Sequence, residues 1–345
     1  MLATTIAAFV FFAIAASAAA ATWEDPVKVL RVSFPVAETG FDPAPVQDYY
    51  SAHILRMVFD PLYVPGYLER PYRPVPDTAD GMPEISADGK VWTIHVKKGI
   101  YFADDPVFKG KKRELTAQDY VYSWERVVDP KVRSPNAYYL NGKLVGLDEA
   151  VAKARATGKF DYDAPIPGLR ALDRYTLQLT LSRTDYTLMS YLEQTALSAV
   201  AREVVDAYGD ASTWVMDHPV GTGPYMLKTW RRGQKIVLVA NPNYREEYFP
   251  PAPEGADAST RALAGSMKGK RLPQIGVIDI SIIEESNPLL LAFDSRSLDY
   301  TNVPADLVTR VIGSNGKLLP AYANADVSLH TIVQNALTYT YFNME

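Results

Sequence analysis

The sequence predicts a mixed α/β fold that is large enough for two domains. Short segments with alternating apolar side chains, such as residues 29–34 (VLRVSF) and 175–181 (YTLQLTL), indicate strands. Between them, residues 49–59 carry apolar side chains at helical spacing. Strands and helices are interspersed without strict alternation, which is typical of α/β or α+β lobes. A chain of 345 residues can form two domains, each with its own core.

The strand predicted at residues 91–96 (VWTIHV) follows a hairpin-type turn at residues 88–90 (DGK). Because successive side chains of a strand point to opposite faces, Trp92 and Ile94 share one face and are separated from His95. The helix at residues 49–59 precedes this strand. It should end before an Asp-Pro pair, since proline cannot continue a helix.

A further helix start is predicted at Thr116, the N-cap, with Asp119 near the positive end of the helix dipole. This helix should continue to Val128, where a second Asp-Pro pair terminates it. The remaining predicted elements are a helix at 146–156, a tight turn at 221–225 leading into a strand, strands at 236–240 and 277–283, and a polar surface insertion at 254–271.

The composition excludes several classes of protein. A net charge of -5 argues against a nucleic-acid-binding protein, which normally has a concentrated basic face. The strongest basic run, at residues 109–113, contains Gly110 and precedes Glu114, which favours a solvated loop. The absence of cysteine excludes disulfides, thiolate metal sites and a cysteine-linked lipid anchor.

No catalytic or metal-binding pattern is visible in the sequence. The four histidines fall at no metal-ligand spacing, and neither an HExxH nor a GxSxG motif occurs. Residues 221–223 (GTG) lack the later glycine or lysine of a phosphate loop. The adjacent acidic pairs at 104–105, 246–247 and 284–285 are interpreted as surface residues. We therefore expect a protein that is not an enzyme, with no cofactor, and a secreted hydrolase is the disfavoured alternative.

The N-terminal segment indicates export. Residues 2–21 are uncharged and apolar, and they end in the small residues 17–21 (SAAAA), as signal peptidase requires. We predict a signal peptide at residues 1–22, cleaved near Ala20–Thr22, and a periplasmic protein. The alternative is a membrane-spanning helix, because about 20 apolar residues can just cross a bilayer.

Tyrosine is abundant, with 22 residues in the chain, and it is a candidate for ligand binding. Its ring offers a broad apolar face and its hydroxyl a hydrogen-bonding tip, at low entropic cost. Clusters at 49–50, 120/122, 138–139 and 339/341 would suit a cleft that binds a partly polar ligand, although packing within lobes is the alternative role for most of them.

Several blocks, taken in order, resemble one family. They are residues 87–99 (ADGKVWTIHVKKG), 115–124 (LTAQDYVYSW), 221–225 (GTGPY), 241–244 (NPNY) and 297–300 (SLDY). The chain resembles the extracellular solute-binding proteins of the oligopeptide, dipeptide and nickel class, above all their oligopeptide-binding branch.

The resemblance implies a type II periplasmic binding protein, with ligand enclosed between two α/β lobes. It places the first lobe at residues 23–65 and 196–300, an inserted subdomain at 66–195, and the start of the second lobe at 301–345. Because family members are substantially longer, we expect the second lobe to be interrupted at residue 345.

The resemblance also implies ligand-binding residues. The position at which the oligopeptide-binding branch has an acid that meets the peptide amino group holds Gln47, and the neighbouring Asp48 is a candidate substitute. Tyr49 would lie beside the ligand backbone. Tyr138 and Tyr139 correspond to the tyrosine region of the cleft, and Asn302 stands where the second lobe begins.

The function implied is that of the substrate-binding component of an ABC transporter. It would be a monomer that captures oligopeptides and delivers them to a permease in the inner membrane. The alternative within the same fold is a non-peptide solute: a glycan, an opine, a metal chelate or haem.

Overall fold

The structure is a computed structural model that describes residues 28–332 together with residues 340, 342 and 344. The predicted signal peptide at 1–22 lies outside the described residues, as does most of the segment 333–345. Within the described part, no helix combines the length and the apolar character that crossing a bilayer needs.

Strands and short helices are interspersed along the described chain. The strands are β1 (Val29–Phe34), β2 (Tyr63–Pro65), β3 (Pro74–Pro76), β4 (Glu84–Ile85), β5 (Val91–His95), β6 (Leu169–Asp173), β7 (Thr176–Thr180), β8 (Tyr225–Arg231), β9 (Lys235–Ala240) and β10 (Val277–Ile282). The helices are α1 (Tyr49–Val58), α2 (Ala117–Val128), α3 (Leu147–Thr157), α4 (Leu188–Tyr191), α5 (Arg202–Tyr208), α6 (Ala258–Met267), α7 (Ser286–Asp294), α8 (Val308–Val311) and α9 (Pro320–Ala323). Short 3₁₀ helices lie at Pro106–Phe108, Ala137–Tyr139, Thr195–Leu197 and Ala305–Leu307.

The first sheet contains four strands in the order β1-β10-β9-β8. β1 runs parallel to β10, with Phe34 opposite Ile282, whereas the β10–β9 and β9–β8 pairs are antiparallel. Leu238 and Ile280 of this sheet pack with Ile54 of α1 in one buried cluster. Segments distant in the sequence therefore share one core, which is compatible with a discontinuous first lobe, although its boundaries stay a prediction.

The second sheet has the order β4-β5-β7-β6 and is antiparallel throughout. Trp92 and Ile94 of β5 are buried, while His95 is exposed, as the alternation predicted. Helix α2 packs against β6 and β7 and buries Tyr120 and Trp124 in the same core. The indole N–H of Trp124 donates to the Leu197 carbonyl at 2.9 Å, so this buried polar atom is satisfied.

The predicted start of α2 is confirmed. The backbone N–H of Thr116 donates to the Asp119 carboxylate at 2.8 Å, which completes a capping box. Arg113 also pairs with Asp119, at 2.6 Å, and with Glu203, at 2.8 Å. The interpretation of residues 109–113 as a solvated loop is therefore wrong for Arg113, because two carboxylates from elsewhere in the fold hold its guanidinium.

The polar insertion predicted at residues 254–271 is largely exposed, and it contains helix α6, whose N-terminus is capped by the Asp257 carboxylate accepting from Thr260 N at 2.8 Å. One further prediction is wrong. Asp105, predicted to be a surface residue, has a side chain only 6% exposed. It accepts hydrogen bonds from the Tyr208 hydroxyl at 2.9 Å and from the backbone, and lies 2.8 Å from His218 Nε2.

Candidate functional site

The parallel pair β1–β10 defines the edge of the first sheet at which we place the candidate site. Both strands end at this edge, at Phe34 and Ile282. In α/β sheets, ligands bind beyond the carboxyl ends of parallel strands. The chain that leaves β1 forms a loop, residues 35–48, and then enters α1 at Tyr49. This loop carries the predicted residue Gln47.

The loop at residues 35–48 is fixed by buried polar contacts. Asp42 is fully buried and forms an ion pair with Arg126 at 2.8 Å, with Arg126 only 1% exposed. The same carboxylate accepts from the backbone N–H of Ala44 at 3.1 Å and of Val215 at 2.9 Å. Removing either charge would leave the other buried and unpaired, so the pair holds the loop in one position.

Asp48 caps helix α1. Its carboxylate accepts from Ser51 N at 2.8 Å and from the Thr39 hydroxyl. Burial raises the pKa of Asp48, but these hydrogen bonds outweigh it and lower the pKa below its ordinary value. The carboxylate is thus already engaged by the helix. This engagement disfavours Asp48 as a substitute for the acid of the oligopeptide-binding branch.

Gln47 and Tyr49 are exposed beside this cap. Tyr49 is 67% exposed, and its ring lies 5.2 Å from Tyr50 and 4.3 Å from the His53 ring, centroid to centroid. His53 Nδ1 lies 2.8 Å from the Tyr49 carbonyl, one helical turn back. The aromatic contacts orient Tyr49 while leaving most of its surface open to a ligand.

Tyr138 and Tyr139 lie next to the same loop because Asn136 ties them to it. The Asn136 amide donates to the carbonyls of Ala44, at 3.1 Å, and Val46, at 2.9 Å. Gln47 and Tyr49 thus lie on one segment and Tyr138 and Tyr139 on another, and the buried Asn136 side chain joins the two segments.

The two tyrosines belong to an aromatic row. The Tyr138 and Tyr139 ring centroids lie 4.2 Å apart, and Tyr139 lies 5.2 Å from Tyr191. Burial, together with neighbouring Tyr138, raises the pKa of Tyr139 well above its ordinary value. Its hydroxyl consequently stays protonated and can donate as well as accept a hydrogen bond at neutral pH.

Asn302 occupies a different place. It is exposed and accepts a hydrogen bond from the Tyr300 hydroxyl at 2.9 Å. It lines a cavity of about 790 Å³ formed by α7 and residues 299–332. Asp299 connects this segment to β1, because its backbone N–H donates to the Arg31 carbonyl and its carboxylate accepts from Arg31 N, both at 2.8 Å. The part of the structure described does not gather Asn302 with the other four residues.

Sequence reasoning missed Arg56, Tyr72 and Glu193, which lie near the tyrosine row. Arg56 follows Tyr49 by seven residues on α1, a spacing that places both on one helical face. Tyr72 donates a hydrogen bond to Glu193. The helical spacing from Tyr49 could have identified Arg56 in the sequence. No sequence pattern could have identified the pairing of Tyr72 with Glu193, because the two residues are 121 positions apart.

Within the described residues, His, Asp and Glu side chains form no group able to hold a metal ion. The site geometry is that of a binding face, with aromatic rings and hydroxyls on a fixed loop. Residues 73–345 match the profile of the bacterial extracellular solute-binding proteins, family 5 Middle. The chain belongs to this family.

Two relatives of this family 5 solute-binding protein are the most informative in sequence. The periplasmic oligopeptide-binding protein OppA of Escherichia coli is 31% identical over 205 residues, which are 59% of this chain and 34% of that protein. The probable deoxycholate-binding periplasmic protein YgiS of Escherichia coli is 28% identical over 222 residues, which are 64% of this chain and 38% of that protein. The chain thus spans little more than a third of each relative.

Solved structures show the same fold. Listeria monocytogenes OppA bound to peptide superimposes with a TM-score of 0.64 at 21% identity, over 82% of this chain and 48% of that one. The predicted mixed α/β fold of a type II periplasmic binding protein is thereby confirmed. The family to which the chain belongs is one of solute-binding proteins and not of enzymes.

Proposed function

We propose that this chain belongs to the periplasmic substrate-binding component of an ABC transporter, which captures oligopeptides and passes them to a membrane permease. The observation that carries the proposal is the fixed aromatic face at the carboxyl edge of β1 and β10, where Tyr49, Tyr138 and Tyr139 stand beside Gln47. Family membership and the peptide-binding names of the relatives support it.

The proposed mechanism is closure of two lobes over the ligand. A ligand that contacts both lobes only in the closed state shifts the population towards closure by its difference in affinity for the two states. Hydrogen bonds to a peptide backbone give affinity without dictating side chains. Tyrosine hydroxyls and the Gln47 amide can both donate and accept such bonds, which suits the alternating groups of an extended peptide.

The proposal includes the domain boundaries, the signal peptide and the oligomeric state. We propose domains at residues 23–65 and 196–300, 66–195 and 301–345, a cleaved signal at 1–22, and a monomer without catalytic activity. Asn302 would contribute to the ligand site from the second lobe.

The binding test uses the purified chain and isothermal titration with alanine tripeptides to pentapeptides. We expect Tyr139→Ala to weaken binding at least about tenfold, since truncating an aromatic anchor removes more than about 1.4 kcal/mol. Tyr186→Ala is the matched control, because Tyr186 is 65% exposed and lies outside the proposed face. Equal affinities for the two variants and the wild type would refute the proposed face.

A non-peptide solute is the second candidate, and the likeness to the probable deoxycholate-binding protein YgiS supports it. Native mass spectrometry of the protein purified from a periplasmic extract separates the two. A distribution of peptide masses is the result expected, whereas a single non-peptide mass would replace the peptide assignment with the alternative.

A further inference from the structure

One face of helix α1 extends beyond the proposed peptide site. Tyr49, His53 and Arg56 lie at positions i, i+4 and i+7, so they follow one another along that face. Seven residues of helix rise about 10 Å. An extended peptide advances about 3.3 Å per residue, so three residues cover the same distance. A peptide lying along α1 from Tyr49 would therefore reach Arg56 about three residues later.

Arg56 borders a cavity of about 510 Å³ that also has Tyr67, Tyr72 and Glu193 in its walls. Both tyrosines are more than half exposed, at 66% and 54%, which leaves the cavity open to a ligand. Burial and the Glu193 carboxylate raise the pKa of Tyr72 to about 12, and the Arg56 cation acts in the opposite direction. The same cation acts on Tyr139, so its field reaches both the cavity and the tyrosine row.

The carboxylates of this cavity already have partners. Arg245 forms ion pairs with Asp60, at 2.5 Å, and with Asp77. Asp60 also accepts from the Thr222 hydroxyl at 3.0 Å. Glu193 accepts the hydroxyl hydrogen of Tyr72.

Arg56 differs from these groups. Across the described residues it makes neither an ion pair nor a hydrogen bond, and its side chain is exposed. Gln47, at the other end of the face, is uncharged, and the Asp48 carboxylate is occupied by the cap of α1. The face from Gln47 to Arg56 consequently offers a cation that no ion pair among the described residues engages.

We propose that Arg56 is a specificity-determining residue that binds a carboxylate of the ligand, so that the receptor prefers peptides with an acidic side chain about three residues from the one packed on Tyr49. The inference rests on the proposed peptide-binding function and deepens it. A guanidinium can bind a carboxylate through two parallel N–H···O bonds, which an amide of the same shape cannot replace. The cavity beside Arg56 gives space for such a side chain.

The test compares acidic peptides with their neutral isosteres. Alanine pentapeptides with a single Glu at each position in turn, and the same set with Gln, are titrated calorimetrically into the wild-type chain. We expect one position at which Glu binds about tenfold more tightly than Gln, since a charge-assisted pair is about twice as strong as a neutral one. In Arg56→Gln the ratio of the two dissociation constants should fall to about 1. High salt should lower the wild-type ratio.

Arg155→Gln is the matched control, because Arg155 is an exposed arginine of α3 and should keep the wild-type ratio. Thermal unfolding of each variant establishes that it is folded. A wild-type chain that binds peptides without preferring Glu at any position overturns the Arg56 proposal alone, as does a preference that persists in Arg56→Gln. A wild-type chain that binds none of the peptides overturns the proposed function as well.

Discussion

Glu125 of helix α2 should make the stability of this protein fall as the pH rises. Its side chain is buried, with the residue only 2% exposed, and among the described residues its Oε2 atom has no hydrogen-bond partner. Burial raises its pKa from 4.5 to about 8; Arg202 opposes this change, while Asp163 and Asp161 add to it. Glu125 is therefore neutral in the folded protein at pH 7, whereas in the unfolded chain it is ionised.

The sign and size of the effect follow from proton linkage. Between pH 4.5 and about 8 the folded state retains a proton that the unfolded state has released, so the free energy of unfolding decreases with pH. Each pKa unit corresponds to about 1.4 kcal/mol, so the full span amounts to about 5 kcal/mol. Glu125→Gln removes the ionisation but keeps a polar group without a partner. We expect the free energy of unfolding of this variant to exceed that of the wild type by about 3 kcal/mol at pH 9.

Urea unfolding followed by tryptophan fluorescence at pH 4.5, 7 and 9 measures the difference. At pH 4.5 the two proteins should agree within about 1 kcal/mol, since the protonated acid and the amide are nearly isosteric. Glu149→Gln on α3 is the control, because Glu149 is exposed and its substitution should change the pH profile little. Parallel pH profiles for the wild type and Glu125→Gln would refute the reasoning.

Three other substitutions test the supports of the fold by urea or thermal unfolding. Asp42→Ala should cost about 3–5 kcal/mol, because it leaves the Arg126 guanidinium buried without its counter-charge; a loss below about 1 kcal/mol would contradict this. Asp48→Ala should cost about 1 kcal/mol through loss of the α1 cap, and unchanged stability would show that the cap contributes nothing. Gly221→Ala would place a Cβ 2.0 Å from the Val58 carbonyl oxygen, so we expect a loss of at least about 1–3 kcal/mol, and a melt like that of the wild type would argue against this close approach.

Local patterns predicted the elements whose stability is decided locally. The alternation of Trp92 and Ile94 predicted β5 because one face of this strand joins a buried core while the other is more exposed. Thr116 and Asp119 predicted the start of α2 because a cap is formed within four residues. Helix α6 escaped prediction, because its sequence (ASTRALAGSM) mixes Ala with Ser and Gly and it buries only Ala264.

The candidate site depended on contacts that no local pattern reveals. Asp42 and Arg126 are 84 residues apart, and Asn136 reaches the carbonyl of Val46 across 90 residues. Adjacent acidic side chains usually point apart, which predicts a surface position for Asp105, yet its side chain is nearly buried beside His218. The resemblance was enough to propose which tyrosines bind the ligand. The hydrogen bonds and ion pairs that position them could be identified only from the structure.

Substitutions on the face and in its support should therefore separate binding from stability. Tyr138→Ala removes a ring that is 51% exposed, so it should weaken peptide binding and shift the melting temperature of the free chain little. Asn136→Ala instead leaves the carbonyl of Val46 without its side-chain donor and that of Ala44 with the Ser134 hydroxyl alone, which should cost about 1–3 kcal/mol as well as affinity. Calorimetric titration and thermal unfolding of both variants measure the two effects. If Asn136→Ala kept both the stability and the affinity of the wild type, the loop would not depend on Asn136, and other contacts would have to position the tyrosine face.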